Sequence, residues 1–294
     1  MSTQRRRTWK VWGLSAAFAL VHLVAVAALF TPLTWPLAAL TLGSYYLRMF
    51  AVTAGYHRYF AHRSYKTGRV FQFLLAFLAQ TSAQKGVLWW SGHHRAHHAY
   101  SDTERDIHSP VRRGFWWAHV GWILSTRYDE TDFDRIKDFA KYPELRFLNR
   151  WPLLPAVIYA AAILALFGWS VLLWGFFVST VLLFHGTFSI NSLAHVLGKR
   201  RFPTSDTSRN GLLLSLVANG EGWHNNHHYF PTSARQGFYW WEIDATYYVL
   251  RGLAALRLVR DLREPPAKVL EEGRRQARRR ASALAFLPAV QQAK

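Results

Sequence analysis

Cysteine is absent from this 294-residue sequence, and with it go disulfides, thiolate zinc sites and iron–sulfur clusters. Acidic residues are scarce: 17 Asp and Glu face 36 Lys and Arg, a formal net charge of +19. Two long stretches, Val11 to Leu47 and Trp151 to Gly198, carry no Asp, Glu, Lys or Arg at all. A nucleotide fingerprint is missing too. The segment "GEGWHNNHH" has two glycines but neither the spacing nor the preceding strand that a phosphate-cradling loop requires. Thiol, iron–sulfur, flavin-type and P-loop chemistries are thereby set aside.

What is there is apolar and aromatic, 51% hydrophobic with 16% Phe, Trp and Tyr. Each charge-free stretch is about twice the roughly 20 residues that cross a bilayer. Each also has a break near its middle, at "TPLTWP" (31–36) and "FGWS" (167–170). The reading is an all-α membrane protein with four transmembrane helices in two hairpins, near 11–30, 34–55, 152–168 and 171–192. A secretory leader is a poorer reading of the first stretch, because it is too long and lacks a small-residue cleavage pattern. Lys and Arg crowd the N-terminus, the region from Arg48 to Arg150 and everything after Lys199, whereas the short turns are uncharged. The positive-inside rule then puts both termini and both polar regions in the cytoplasm. One membrane-embedded domain results, with a cytoplasmic helical cap at 56–150 and 199–266 and a basic tail at 267–294. The run Val70 to Gln80 is too short for a span and reads as a buried or interfacial helix. Excess basic charge beside four spans is assigned to anionic lipid headgroups, not to nucleic acid.

Of the 14 histidines, nine form motifs with ligand-like spacing: His57 and His62 in "HRYFAH", His94, His97 and His98 in "HRAHH", the single His195 in "NSLAH", and His224, His227 and His228 in "HNNHH". Positions i, i+3 and i+4 share a helix face, so each H-x-x-H-H motif is expected to aim three imidazoles one way as a metal half-site. His57 and His62 lie about 140° apart on an ideal α-helix, so a helix end or kink is expected between them. Nine nitrogens exceed the needs of one ion, which implies two, and imidazole alone does not choose among zinc, copper, nickel and iron.

These motifs, in this order and between hydrophobic hairpins, resemble the membrane fatty acyl desaturases of the stearoyl-CoA desaturase type. The likeness continues through "SDTERDIHSP", "RRGFWWAHVGW" and "SARQGFYWWEIDATYYVL", covering roughly 43–266. It implies two iron ions held by His57, His62, His94, His97, His98, His195, His224, His227 and His228, with Asn191 as a water-mediated contact. The implied activity is O2-dependent desaturation of a saturated acyl chain, on acyl-CoA and at Δ9, to a cis-monounsaturated product. Electrons must then come from a separate carrier, by resemblance a cytochrome b5, ferredoxin or rubredoxin. A histidine-box hydroxylase and a non-redox zinc membrane protein are the rival readings.

Asp102, Glu104, Asp106 and Glu221, near the motifs, suit acceptors for the outer N–H groups of the ligands, and solvated charges are the equal alternative. Where the animal enzymes carry Arg-Asp before "HRAHH", this chain has Gly92 and His93, so Arg112, Arg113 and Arg127 become candidates for the substrate headgroup, and acyl-carrier protein or membrane lipid stays open as the acyl carrier. Among the other histidines, His22, His108, His119 and His185 read as hydrogen-bonded structural residues. His93, one residue off the ligand face, reads as support or headgroup contact.

Overall fold

The computed structural model describes residues 3–285; the part of the basic tail from 286 to 294 lies outside them. Three helices among the described residues are long and apolar enough to cross a membrane: Val11–Ala28, Trp35–Ala61 and Leu154–His195. The first belongs to α1 (Thr3–Ala28). The second begins as α2 (Trp35–Phe50), where the Thr34 hydroxyl caps the Leu37 N–H and Pro36 occupies the first turn. Beyond α3 (Arg69–Gln80) and α4 (Val87–Tyr100) in the chain, the third runs for 42 residues through α5 (Leu154–Val171) and α6 (Ser179–Ser192). It is interrupted at Gly168, whose φ of 79° only glycine adopts freely, as the "FGWS" break requires. Only 11% of the first apolar window and 17% of the third are buried within the protein, against 56% of the second. The outer helices therefore leave the broad apolar surface that lipid covers.

The run 70–80 is α3 (Arg69–Gln80), too short to span and packed beneath the second apolar helix through Gln72, Leu75, Ala76 and Ala79. Next comes α4 (Val87–Tyr100), which carries "HRAHH". Beyond the third apolar helix lie α7 (His224–Tyr229), α8 (Ala245–Ala255) and α9 (Ala267–Ala285). Two short antiparallel strands, Lys66–Thr67 and Val259–Arg260, tie the two polar regions together. The main core joins Met49, Val52, Phe60, Leu75, Leu88, Leu145 and Leu250, bringing together segments from near both ends of the chain.

The helix end expected between His57 and His62 is present, in a form that residue spacing does not show: α2 continues as a π-helical segment, Ala51–Ala61, which stops just before His62. In i→i+5 winding, residues five apart stack nearly one above the other. The His62 N–H indeed bonds to the His57 carbonyl at 3.1 Å, so both imidazoles leave the same face. Two further π-helical segments are Trp117–Gly121 and Leu172–Val178, the latter leading into α6.

Arg48, which opens the polar region in the sequence, is instead fully buried within the helix bundle. Its guanidinium donates to the carbonyls of Ser44, Thr81 and Phe176 and to the hydroxyls of Thr180 and Ser179. The rings of Tyr159 and Phe176 lie 5.4 and 5.5 Å from it. Every one of these oxygen acceptors is uncharged, so the arginine pins α2 to the end of α3, to the π-helical segment at 172–178 and to the start of α6 by satisfied hydrogen bonds, without a carboxylate.

Candidate metal centre

All nine histidines of the motifs meet in one place. They form two groups, within each of which the ligand-type atoms lie no more than 4.8 Å apart: His57, His62, His94, His98 and His227 in one, His97, His195, His224 and His228 in the other. The expectation that each H-x-x-H-H motif builds its own half-site is corrected here. In α4 the i, i+4 pair His94 and His98 serves the first group while His97 serves the second. In α7 the i, i+4 pair His224 and His228 serves the second group while His227 crosses to the first. A helix lying between two centres presents its i and i+4 residues to one and its i+3 residue, about 60° round from i, to the other. Both motif helices therefore bridge the groups.

The imidazoles are aimed by their outer nitrogens. Asp106 accepts from His97 Nδ1 at 3.0 Å, Asp102 from His195 Nδ1 at 3.2 Å and Asp206 from His228 Nδ1 at 2.7 Å, while Glu221 Oε2 lies 2.5 Å from His57 Nδ1 in an ion-pair contact. Glu221 is itself clamped by the buried Arg58, which also pairs with Asp244 at 2.9 Å. With the proton held outward, each Nε2 lone pair points inward. The Nε2 atoms of His57 and His227, His62 and His94, His98 and His227, and His195 and His224 stand 2.9–3.1 Å apart. The buried Nε2 atoms of His97 and His228 have no hydrogen-bond partner. Lone pairs converging in a buried space repel unless a cation binds them, so this donor set fits metal ions.

Electrostatics agrees. Burial, reinforced by neighbouring histidines, holds His62, His94, His98, His224 and His227 well below the ordinary histidine range. They remain neutral and available as ligands. Burial also lowers His228, to about 4 despite Asp206. His97 goes the other way: burial, the largest single influence, lowers it, but the carboxylates of Asp106, Asp102 and Asp206 together raise it further. Burial alone would raise Asp102, Asp106 and Asp206, yet their histidine partners bring all three below the usual carboxylate range.

Three of the four acids expected to orient ligands do so. Glu104 does not, since its exposed carboxylate faces Arg112 at 3.3 Å. Asp206 was not foreseen: it lies in an irregular loop 22 residues before His228, and no helical spacing marks it. Asp106 and His108 also sit beside His97, but the Asp106 oxygens are engaged by His97 Nδ1 and by the N–H groups of Asp102 and His108. That trio supports the second group.

An apolar cavity of about 310 Å³ leads toward the histidines, lined among others by Phe18, Trp89, Trp122, Phe184, Phe188 and Asn191. A smaller one of about 40 Å³ reaches His57, His94, His97 and His224. Trp90, Thr187 and Asn191 line both, and Gln84 donates to Thr187 at 2.8 Å where they meet. Asn191 thus stands at the junction. Arg112, Arg113 and Arg127 line neither cavity. Arg112 reaches the Asp102 carbonyl, Arg113 the Tyr128 hydroxyl, and Arg127 covers the Tyr128 ring.

The remaining histidines lie outside both groups. His185 contacts His22 Nε2 at 3.1 Å and His119 Nε2 at 3.0 Å, and His119 Nδ1 meets Ser192. His93 bonds to the Trp89 carbonyl and packs on that indole.

Comparison with known proteins agrees with this geometry. A family profile described as "Fatty acid desaturase" matches residues 32–260. The chain is 37% identical over 264 residues to delta-9 acyl-lipid desaturase 1 of Arabidopsis thaliana, covering 88% of this chain and 86% of that one. It is 34% identical to acyl-CoA 5-desaturase AL21 of Anemone leveillei (89% and 84% covered) and 35% identical to sn-1 stearoyl-lipid 9-desaturase of Synechocystis sp. (87% and 81% covered). Gathered from four separate segments and carried between apolar helices, the histidine motifs are those of an oxidoreductase, and the chain belongs to the fatty acid desaturase family.

Proposed function

We propose that this chain introduces a cis double bond at Δ9 of a saturated C16 to C18 acyl chain, using O2 and a pair of iron ions held by the nine histidines. The observation that carries this reading is the position of two converging histidine groups at the inner end of an apolar cavity. In balance, one CH2–CH2 unit, one O2, two electrons and two protons become one CH=CH unit and two waters. Bound iron supplies the oxidising chemistry that an unactivated C–H bond demands. The protein's own part is to keep the imidazoles neutral, to fix their direction through Asp102, Asp106, Asp206 and Glu221, and to hold the acyl chain in a dry cavity. Asn191, at the cavity junction, would provide the water-mediated contact that the family resemblance implies. The electrons come from a separate carrier protein.

Expression in a desaturase-deficient host tests this. A cis-monounsaturated acid should accumulate, and purified protein should carry two irons per chain. Hydroxylated acids alone, with a competent donor present, or zinc alone, would refute the reading. Supplying stearoyl-CoA and a saturated diacyl lipid to the same membranes decides the acyl carrier, since both kinds occur in the names of the relatives.

The topology within this proposal is four crossings, the 42-residue apolar helix crossing twice about Gly168, with the termini and the polar cap cytoplasmic. Reporter fusions at Asp129 and at Arg278 should give the same cytoplasmic signal. Opposite signals at the two sites are incompatible with it.

A further inference from the structure

The turn that follows His62 helps to form a cleft of about 340 Å³ that collects basic side chains from three parts of the chain: Arg63 and Lys66, Lys141, and Arg260 and Arg263. None of these residues takes part in the proposed reaction. The strand pair Lys66–Thr67 and Val259–Arg260 joins the first part to the last, and in its register Lys66 stands directly opposite Arg260. Like charges facing each other across an antiparallel pair are destabilising. Carboxylates answer only part of that charge. Asp261 pairs with Lys66 at 2.8 Å. Asp138 also lines the cleft, but Arg95 donates to both of its oxygens at 2.9 Å, which leaves Arg63 a longer contact of 3.5 Å. Among the described residues, Lys141, Arg260 and Arg263 have no carboxylate within 4.0 Å. With Arg95 included, six cations meet two carboxylates, so the cleft keeps a positive excess after its ion pairs are made.

The same cleft holds a donor with nothing to bind. Gln72, on α3, lines it and is only 3% exposed. Its Oε1 accepts from the Tyr59 hydroxyl at 2.9 Å, whereas its buried Nε2 has no hydrogen-bond partner. An amide donor buried without an acceptor is costly, and a ligand that supplies the acceptor removes the cost. The neighbouring Tyr65 donates elsewhere, to the Ala54 carbonyl at 2.8 Å. What the cleft presents to a ligand is therefore guanidinium, ammonium and one amide N–H, a set that calls for an anion with several oxygens.

We infer that this cleft binds the phosphate group of a small anionic ligand. The planar forks of Arg260 and Arg263 match phosphate oxygens in pairs, Lys66 and Lys141 add point charge, and Gln72 Nε2 donates to an oxygen at the buried end. Pockets for small ligands run from about 300 to 1,000 Å³, so the phosphate can carry a second phosphate or an organic body. A soluble phosphate ester and the headgroup of an anionic membrane lipid offer the same chemistry. Either one neutralises the Lys66–Arg260 opposition and ties 63–67, 141 and 260–263 together immediately after the ligand His62.

The test uses full-length protein in neutral detergent, titrated in one arm with pyrophosphate and in the other with a short-chain phosphatidic acid, with binding read by native mass spectrometry and by the shift in melting temperature. Wild-type protein should bind at least one probe and melt higher with it. Pyrophosphate binding identifies a soluble ester as the source, and binding of phosphatidic acid alone identifies a lipid headgroup. Gln72→Glu keeps the acceptor for Tyr59 and turns the free donor into a carboxylate, so it should weaken binding by about tenfold or more. Arg260→Gln, Arg263→Gln changes two exposed side chains and should weaken it to a similar degree with metal content unchanged. The comparison is Arg278→Gln, Arg279→Gln on α9, which removes the same charge from exposed positions outside the cleft and should leave affinity within about twofold. Failure of the wild type to bind either probe overturns the inference. So do equal losses in the two arginine pairs, which would mean a diffuse field of charge in place of a site.

Discussion

His195→Ala is expected to lose metal from the second histidine group and to abolish desaturation, while His185→Ala, ten residues earlier on the same apolar helix, should retain its metal. His195 is buried, its Nδ1 is held by Asp102, and its Nε2 lies 3.1 Å from that of His224. Alanine leaves three ligands where there were four, and Asp102 keeps only its bonds from Ser109 and Thr207. The loss should exceed the roughly 10–100-fold typical of removing an orienting partner. His185 faces His22 and His119, away from both groups. Its removal leaves two imidazoles short of a partner, a cost of about 1–3 kcal/mol in stability. Metal analysis of the purified variants and chromatography of their products check both. Metal lost from His185→Ala and kept by His195→Ala would mean that the long helix is placed wrongly against the centre.

The second large effect belongs to a residue with no signature. Asp206→Ala should lower metal affinity by about 10–100-fold, because it frees the imidazole of His228 to rotate and removes the acceptor at 2.7 Å that keeps the proton on Nδ1. The same carboxylate accepts from Ser208 N–H at 2.9 Å, so the loop slackens as well. Glu104→Gln is the comparison: this carboxylate meets only an exposed arginine, and such surface pairs contribute about 0–1 kcal/mol. Competition with a chelator of known affinity measures both variants. Equal losses in the two would remove the orienting role assigned to Asp206.

Much of the molecule is legible along the chain because the relevant signals are local. Charge-free runs longer than one bilayer crossing, glycine at the break, and three histidines at i, i+3 and i+4 report directly on helix length, helix interruption and helix face. From these, the apolar helices, the short α3 and the nine histidines follow without coordinates. The acids in "SDTERDIHSP" are legible as candidates for the same reason, since Asp106 follows His97 by nine residues.

What only the tertiary structure decided depends on how distant segments face each other. Spacing shows that His94, His97 and His98 project from neighbouring positions on one helix. It cannot show that the helix lies between two centres, so that His97 and His227 each serve the group opposite their motif partners. The π-helical winding that aligns His57 with His62 arises where that segment is packed on every side, and packing pressure of that kind leaves no mark in residue order. Asp206 meets His228 through loop closure, Arg48 meets its acceptors across three segments, and the basic cleft exists only where 63–67, 141 and 260–263 come together. Local periodicity chooses each element and its face, whereas long-range burial of apolar surface chooses which faces meet.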